Sequence, residues 1–352
     1  MSTLNPLFYG QMGWIWEVWG LGSPAAIADQ ALQLNLHTLA IKVADGTSYW
    51  SGTQPAIQTL QGSGYPVFGW QYIYGQDPAG EAMTAIQAIH DAHLSGWIID
   101  AEIEYQNLPN AGAAAYTYMT TIRKAYPDLP IGFTSFGDWN YHRGIPLSVF
   151  SRYVDVLMPQ IYWQTMQWPI QTAWDTCMGS YQPFKLPIIP IGQAYGGVSP
   201  AEIQQFTQNV LNAECPGVAW YRLGDMPSAI AQKIGGMWWT ENPWKNITTQ
   251  QVAYFLDRGG ATLPINQSWS SALETAVKTF QAAHHLAVDG IVGNQTWHAL
   301  YQVSPPANPS TPPDPFAPYT QEITQLKAQI ASTQTELAQA NKVLSQIKSL
   351  LN

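Results

Sequence analysis

A repeating unit occupies about the first 240 residues of the chain: a short apolar segment, a turn, and a segment with apolar residues at three- and four-residue spacing. The unit recurs eight times, and its apolar segments predict strands at residues 13–19, 38–43, 67–74, 97–105, 131–136, 156–163, 188–193 and 218–223. Eight alternations of strand and helix predict a parallel sheet closed into a (βα)8 TIM barrel over residues 1–242. An open, doubly wound sheet is the alternative, but no glycine-rich dinucleotide-binding turn follows any predicted strand.

The fourth predicted strand, residues 97–105, carries an unusual set of charges. Asp100, Glu102 and Glu104 stand at alternate positions, so strand geometry predicts that the three carboxylates share one face. Like charges on one face destabilise a sheet, so the pattern favours a strand that lines a cleft over a strand with a purely structural role. Repulsion and partial burial would raise the pKa of at least one carboxyl, as a general acid requires. An exposed acidic strand edge is the alternative interpretation.

The C-terminal ends of the predicted strands, where barrel enzymes hold their active sites, carry carboxylates, amides and aromatic rings. No His or Cys cluster lies there, so the pattern predicts neither a metal nor a cofactor and is typical of a carbohydrate site. Aromatic faces stack on sugar rings, although any single ring can equally well close the barrel mouth. The predicted substrate-binding residues are Glu17, Trp19, Gln71, Tyr72, Gln160, Tyr162, Trp163, Gln193 and Trp220.

Short motifs at these strand ends resemble two families of glycoside hydrolases. Residues 100–102, Asp-Ala-Glu, resemble the D-x-E of the family 25 lysozyme-type enzymes, and the longer D-x-E-x-E run resembles the end of the family 18 chitinase-type signature. Residues 158–163, Met-Pro-Gln-Ile-Tyr-Trp, are similar to the sixth-strand segment of family 18, and Trp220 matches its eighth-strand tryptophan. The chain departs from family 25 at Glu17, where that family has an aspartate.

The resemblance implies roles for the acidic strand end and its neighbours. Glu102 or Glu104 would donate a proton to the glycosidic oxygen, and Asp100 would orient or support the donor electrostatically. Gln160 and Tyr162 would hold an N-acetyl group. These expectations lead to a glycoside hydrolase with carboxylate general acid catalysis.

Residues 246–303 form a second predicted unit. An amphipathic run over residues 271–281 leads to Val-Asp-Gly-Ile-Val-Gly at residues 288–293. This resembles the three-helix peptidoglycan-binding domain, whose pattern runs A-V-K-x-F-Q, then V-D-G-I-x-G, then T-W-x-x-L. The resemblance implies peptidoglycan or a related N-acetylated glycan as the partner, although such domains also serve as docking modules. Val288 is expected in the core of this domain.

The C-terminal part of the chain changes character twice. Residues 304–318 are rich in proline, which predicts an extended, semi-rigid linker. In residues 319–352 apolar side chains fall on alternating three- and four-residue steps, which predicts a coiled-coil helix. A helix this polar needs a partner, so we expect self-association, with a trimer favoured over a dimer. Packing back onto the barrel is the alternative.

Charge and composition exclude several classes of partner. The net charge of −9 argues against a nucleic-acid backbone, and no apolar run is long enough to span a membrane. Cys177 and Cys215 are too few for a disulfide framework, and two buried thiols are favoured over one bridge. The first residues lack the basic and apolar regions of a signal peptide, so we expect an extracellular or particle-associated location without classical secretion.

Two functions fit these patterns. The first is a cell-wall lytic glycoside hydrolase, muramidase-like or N-acetylglucosaminidase-like, that is targeted by the small domain and oligomerised by the tail. An oligomerising tail on a proline linker suits a component of a phage tail or contractile injection particle. The second is a non-catalytic cell-wall-binding structural protein that uses the barrel as a glycan platform.

Overall fold

The computed structural model describes residues 4–63, 65–240, 252, 256, 269–292, 295–296 and 299–300. Its parallel strands are β1 Gly10–Ile15, β2 Thr38–Asp45, β4 Val67–Ile73, β5 Gly96–Ala101, β6 Ile131–Phe136, β7 Val156–Ile161, β8 Ile191–Gln193 and β9 Gly217–Tyr221. A two-residue strand, β3 Ser48–Tyr49, is antiparallel to β2. The sheet closes because β1 pairs with both β2 and β9. The predicted (βα)8 barrel is therefore confirmed, and the open doubly wound alternative is wrong.

Helices follow the strands and form the outer layer of the barrel. They are α1 Pro24–Gln33, α2 Gln54–Gly62, α3 Pro78–Asp91, α4 Ile103–Gln106, α5 Ala111–Ala125, α6 Leu147–Phe150, α7 Trp163–Met166, α8 Ile170–Tyr181, α9 Pro200–Asn212 and α10 Ser228–Thr240. Local sequence explains several starts. Ser199 and Glu202 form a capping box at α9, and the Asp77 carboxylate accepts a hydrogen bond from the Gly80 N–H at α3.

The boundaries of β1 and β8 differ from the sequence prediction for identifiable reasons. Strand β1 ends at Ile15 rather than at residue 19, because the exposed Trp16 and Glu17 lead into a short 3-10 helix, Val18–Leu21. Strand β8 has only three residues, because Pro187 and Pro190 have no N–H for the sheet.

Alternate residues of each strand face either the barrel interior or the helices. The interior is filled by buried side chains such as Trp14 of β1 and Trp70 of β4, whose rings lie 5.3 Å apart between centroids. On the other face, the Trp97 indole donates a hydrogen bond to the Tyr118 hydroxyl of α5. The apolar interior below leaves the C-terminal ends of the strands as the place where polar groups accumulate.

The second unit contains a helix, α11 Ser271–Ala283, which begins with Ser270 as its cap. Gln281 at its end is buried and fixes the following turn: its side chain accepts from the Gly290 N–H at 2.9 Å and donates to the Ile291 carbonyl at 2.9 Å. The expectation that Val288 lies in the core is wrong, because its side chain is 55% exposed. The turn geometry directs it to solvent instead.

The predicted linker at residues 304–318 and coiled coil at residues 319–352 lie outside the described residues. Within the described part of the chain, no helix combines the length and apolar character needed to cross a membrane. Cys177 and Cys215 are not joined in a disulfide, and both are buried.

Candidate active site

A cavity of about 380 Å³ opens at the C-terminal ends of the barrel strands. Its lining combines aromatic rings and carboxylates with one amide and one amine: Trp14, Trp16, Lys42, Asp45, Trp70, Tyr72, Tyr74, Asp100, Glu102, Glu104, Gln160, Tyr162 and Tyr221. Cavities of this size hold small ligands or one segment of a polymer. The composition suits a sugar, since rings stack on its apolar faces and polar groups bind its hydroxyls.

Asp100 and Glu102 form a pair of neighbouring carboxyls in the lining of this cavity. Asp100 ends in the barrel interior with 6% of its surface exposed, and Glu102 follows the last residue of β5. The Gln160 amide of β7 donates to both, at 3.0 Å to Glu102 Oε1 and at 3.3 Å to Asp100 Oδ1. The Gln160 amide therefore holds the two carboxyls next to each other.

Burial raises the pKa of both carboxyls in the pair. For Asp100, desolvation is the main cause, the negative charge of Glu102 adds to it, and the positive charge of Lys42 opposes it. For Glu102, desolvation again dominates and the Gln160 hydrogen bond opposes it. A carboxyl whose pKa is raised keeps its proton nearer neutral pH, which is the property of a general acid.

Glu104 reaches the cavity by a different route from the one that the sequence predicted. Strand β5 ends at Ala101 and α4 begins at Ile103, so strand alternation does not extend to Glu104. The expectation of three carboxylates on one strand face is wrong at this residue. Glu104 is exposed and accepts a hydrogen bond from the Tyr72 hydroxyl. The turn after β5 nevertheless leaves all three carboxylates in the same cavity lining.

A register shift in β2 brings two further charged groups into the cavity. The shift falls between Lys42 and Ala44, so that Lys42 pairs with Trp70 and Asp45 with Tyr72. In a regular strand, residues three apart point to opposite faces, but one extra residue lets both face inward. Lys42 Nζ lies 2.7 Å from Asp45 Oδ2 as a result.

Aromatic rings form the walls of the cavity. Tyr162 and Tyr221 are stacked with centroids 5.4 Å apart. At the rim, Trp16 is partly exposed, while Trp19 is 55% exposed and lies 5.7 Å from the Trp50 ring. Exposed rings beside a polar cavity are surfaces on which a longer glycan can stack.

Some predicted substrate-binding residues lie outside the cavity lining. Gln71 is fully buried on the helix side of the sheet, where its amide donates to the Gly46 and Glu81 carbonyls. Trp220 is also fully buried on that side, where it packs on Phe206 of α9. The alternation of side chains along β4 and β9 directs these two residues away from the cavity.

Further predicted residues are occupied by internal contacts or lie at the rim. Trp163 donates to the Glu202 carboxylate and stacks on Phe206. The Gln193 side-chain oxygen accepts from the backbone N–H groups at the start of α7. Glu17 precedes the 3-10 helix and, like Trp19, is exposed and outside the lining. Tyr72, Gln160 and Tyr162 are the predicted binding residues that the cavity brings together with the carboxylates.

Five aromatic residues of the lining escaped the sequence analysis: Trp14, Trp16, Trp70, Tyr74 and Tyr221. The alternation of the strands contains a signal for part of this set. Trp70 and Tyr72 stand two apart on β4, and Tyr221 rather than Trp220 has the inward parity on β9. Choosing between adjacent aromatic residues requires strand ends that are known to one residue.

No group of three or more His, Cys, Asp or Glu side chains suited to a metal ion occurs in the described residues. The cavity carboxylates are instead paired with Gln160, Tyr72 and Lys42.

Comparisons with known proteins give separate results for the barrel and for the second unit. Residues 250–300 match the family model described as "Putative peptidoglycan binding domain". These residues form a peptidoglycan-binding domain. No curated protein is similar enough in sequence to match the chain. A domain of this family is consistent with a cell-wall or extracellular location.

The barrel resembles solved structures of glycoside hydrolase type at low sequence identity. One is the spore cortex-lytic enzyme SleL of Bacillus cereus, with a TM-score of 0.52, 8% identity, and coverage of 64% of this chain and 73% of that chain. Another is a class V chitininase of Pseudomonas fluorescens, with a TM-score of 0.51, 12% identity, and coverage of 64% of this chain and 99% of that chain. At such identities, the comparison establishes the shared barrel fold.

Proposed function

We propose that the protein is a peptidoglycan-directed glycoside hydrolase whose general acid is Glu102. The observation that carries this proposal is the pair of the buried Asp100 and the half-buried Glu102, bridged by the Gln160 amide in a cavity with aromatic walls. The barrel fold, which is shared with a cortex-lytic enzyme and a chitininase, supports a glycoside as the substrate. The peptidoglycan-binding domain at residues 250–300 supports the cell wall as its source.

Glu102 suits the acid role better than Glu104 for reasons of environment. Burial raises the pKa of Glu102, and the Gln160 amide fixes its carboxyl in the cavity at 3.0 Å. Glu104 lies in a more exposed position, where its carboxylate accepts the Tyr72 hydroxyl. The Tyr72 hydroxyl fixes the Glu104 carboxylate in place, which suits substrate positioning rather than proton donation.

The chemical step that this geometry supports is acid-assisted cleavage. The Glu102 carboxyl transfers its proton to the glycosidic oxygen as the bond from that oxygen to the anomeric carbon breaks, and the bonding electron pair stays on the oxygen. Positive charge develops on the sugar ring, and the Asp100 carboxylate beside it stabilises that charge. Water then bonds to the anomeric carbon and gives a proton to the Glu102 carboxylate, which restores the acid. Gln160 and Tyr162, which line the same cavity, would hold the N-acetyl group of that sugar. Muramidase-like and N-acetylglucosaminidase-like cleavage are both compatible with this step.

Hydrolysis of purified peptidoglycan by the full chain tests the proposal. The released fragments are reduced with borohydride and identified by mass spectrometry, because the reduced sugar at the new end identifies the cleaved bond. We expect Glu102→Gln to lower the rate by about 10²–10⁴-fold, the usual contribution of a general acid. The isosteric Glu104→Gln is the matched control and should retain most of the rate.

Two outcomes would change the assignment. Equal activity of Glu102→Gln and the parent would exclude Glu102 as the acid. Binding of the parent to peptidoglycan without release of fragments would identify the barrel as a glycan-binding platform in a structural protein.

We also propose that residues 319–352 assemble the chain into an oligomer, with a trimer favoured, which suits a phage tail or contractile injection particle. The support is the heptad spacing of apolar residues in that segment. Removing residues 319–352 and measuring the mass in solution tests the idea. An oligomer of unchanged size after the deletion would exclude this segment as the assembly element.

A further inference from the structure

Arg222 stands at the mouth of the candidate active site. It follows Tyr221, the last residue of β9, and the Leu223 N–H donates to the Trp14 carbonyl of β1 at 2.9 Å. This hydrogen bond continues the pairing of β9 with β1 beyond the end of β9. Arg222 therefore lies at the edge of the barrel where the cavity opens, and 29% of its side chain is exposed.

Two aromatic residues of the cavity lining lie beside the Arg222 guanidinium. Its Cζ is 4.8 Å from the ring centroid of Trp16 and 5.9 Å from that of Tyr221. Ring faces attract a cation at such distances. Trp16 is 41% exposed and Tyr221 is half-buried. The positive charge of Arg222 is thus next to the cavity lining and is also accessible from solvent.

The Asp225 carboxylate orients the guanidinium but does not use all of its donors. Nε and Nη2 of Arg222 donate to the same oxygen, Asp225 Oδ2, at 2.8 Å and 2.5 Å. A guanidinium has more N–H groups than these two bonds use, so donors remain for a further acceptor. Both partners are partly exposed, and ion pairs of this kind contribute little to stability. Stability alone therefore gives a weak reason for an arginine at this position.

Lys42, the cation within the described cavity lining, cannot meet an anion that arrives from solvent. Its residue is 4% exposed, and its Nζ lies 2.7 Å from Asp45 Oδ2. The same Nζ is 5.4 Å from the ring centroid of Trp16. Trp16 consequently has a buried, neutralised cation on the cavity side and an accessible one, Arg222, at the rim.

The centre of the cavity disfavours an anionic ligand. Its lining contains four carboxyl side chains: Asp45, Asp100, Glu102 and Glu104. Like charges repel each other, and the repulsion is stronger where water is excluded. A carboxylate on a bound glycan would therefore be repelled from the centre and stabilised beside an accessible cation at the rim. Arg222 supplies that cation.

We propose that Arg222 is a specificity-determining residue that binds a carboxylate carried by the glycan, on the acidic substituent of a muramic-acid sugar at the Trp16 rim. This role rests on the proposed function and narrows the substrate from N-acetylated glycans in general to those with an acidic side group. The carboxylate belongs either to the lactyl ether itself or to a peptide attached to the lactyl group. Arginine suits both, because its planar fork presents N–H groups to the two oxygens of a carboxylate.

Calorimetric titration of the full chain with matched ligands tests the proposal. One ligand is the disaccharide of N-acetylglucosamine and N-acetylmuramic acid, and the other is the same disaccharide with L-alanyl-D-glutamate on the lactyl group. Each acid is compared with its fully esterified methyl form, which has the same sugars but no negative charge. For the carboxylate that Arg222 binds, we expect the acid to bind about tenfold more tightly than the ester. This is the lower end for a hydrogen bond between charged groups, because the guanidinium is partly exposed.

Substitutions then assign the preference for the acid to a residue. Arg222→Met removes the charge and keeps an apolar side chain against Trp16, so the acid and the ester should bind equally. Arg222→Lys keeps the charge without the planar fork and should retain part of the preference. Lys233→Met removes one positive charge from α10 in the outer layer, and this matched control should keep the whole preference. In the parent, raising the salt concentration from about 0.05 M to about 0.5 M should reduce the preference, because salt screens exposed charges.

The outcomes separate this proposal from the proposed function. Equal affinity of the parent for acid and ester in both ligands would overturn the proposal. A preference that persists in Arg222→Met would do the same, because the variant would then have lost only packing. If Arg222→Met fails to fold, a preference of the parent that does not change with salt would overturn the proposal instead. A parent protein that binds the acid through Arg222 but releases no fragments from peptidoglycan would refute the proposed function alone.

Discussion

Two glutamines of the barrel strands, Gln71 and Gln160, should respond in opposite ways to substitution by methionine: one in stability and the other in activity. Gln71 is fully buried, its amide nitrogen donates to the Gly46 carbonyl at 2.7 Å and to the Glu81 carbonyl at 3.1 Å, and its oxygen accepts from the Tyr118 hydroxyl at 2.6 Å. Methionine has nearly the same shape and can make none of these bonds. Gln71→Met thus removes three buried hydrogen bonds without leaving a large cavity.

The magnitude follows from those three bonds. At about 1 kcal/mol of net stability each, Gln71→Met should lower the free energy of unfolding by about 3 kcal/mol. The stranded carbonyls add to this loss, because a buried acceptor without a donor costs more than the net value of its bond. For a domain of this size, about 1 kcal/mol shifts Tm by about 2–4 °C, so the expected fall is about 6–12 °C.

Urea unfolding followed by tryptophan fluorescence measures the stability change, and hydrolysis at a temperature where both proteins are folded measures function. We expect Gln71→Met to keep the kcat/KM of the parent within a few-fold. Gln160→Met should show the converse, with a large loss of kcat/KM and little loss of stability, because Gln160 lines the cavity. A stable Gln71→Met protein with impaired substrate binding would refute this division of roles.

Three further predictions concern other parts of the molecule. Burial raises the folded-state pKa of Asp100 above its unfolded value, so the folded state loses stability as pH rises from about 4 towards that pKa. Asp100→Asn should therefore have a higher Tm than the parent at pH 7, and this gain should vanish near pH 3.5. Calorimetry at both pH values measures the difference. Trp19→Ala should weaken binding of long glycans by about fivefold, at a stacking contribution of about 1 kcal/mol, with little effect on short fragments, as measured by calorimetric titration of both ligands. Gln281→Leu should destabilise the turn before Ile291 and reduce retention on insoluble peptidoglycan, while hydrolysis of soluble fragments stays unchanged; equal retention would separate that turn from glycan binding.

The barrel could be predicted from the sequence because the alternation of strand and helix occurs eight times. An error at one strand boundary therefore does not change the predicted fold. The Asp100-Ala101-Glu102 segment could be found for a similar reason: two carboxyls beside a buried apolar strand conflict with a purely structural role. Such a conflict between local composition and local structure is visible without coordinates.

The other residues of the site could not be predicted, because they depend on where each strand ends and on which face of the sheet each side chain lies. Trp14 and Trp16 were missed because β1 begins and ends earlier than its apolar pattern indicates. Trp220 and Tyr221 are adjacent, and an error of one residue exchanges the side chain that packs on a helix for the one that lines the cavity. Glu104 depended on a turn that starts directly after Ala101.

The extra residue in β2 has a consequence for how such sites are compared and transplanted. Because the register shift absorbs one position between Lys42 and Ala44, the segment Lys-Val-Ala-Asp presents the same two inward side chains as a regular strand with Lys-x-Asp would. A search for this lysine–carboxylate pair at one fixed spacing would therefore miss its equivalents in barrels without the bulge. Grafting the pair onto another scaffold has two solutions of different length, and the host strand's own register determines which of them fits.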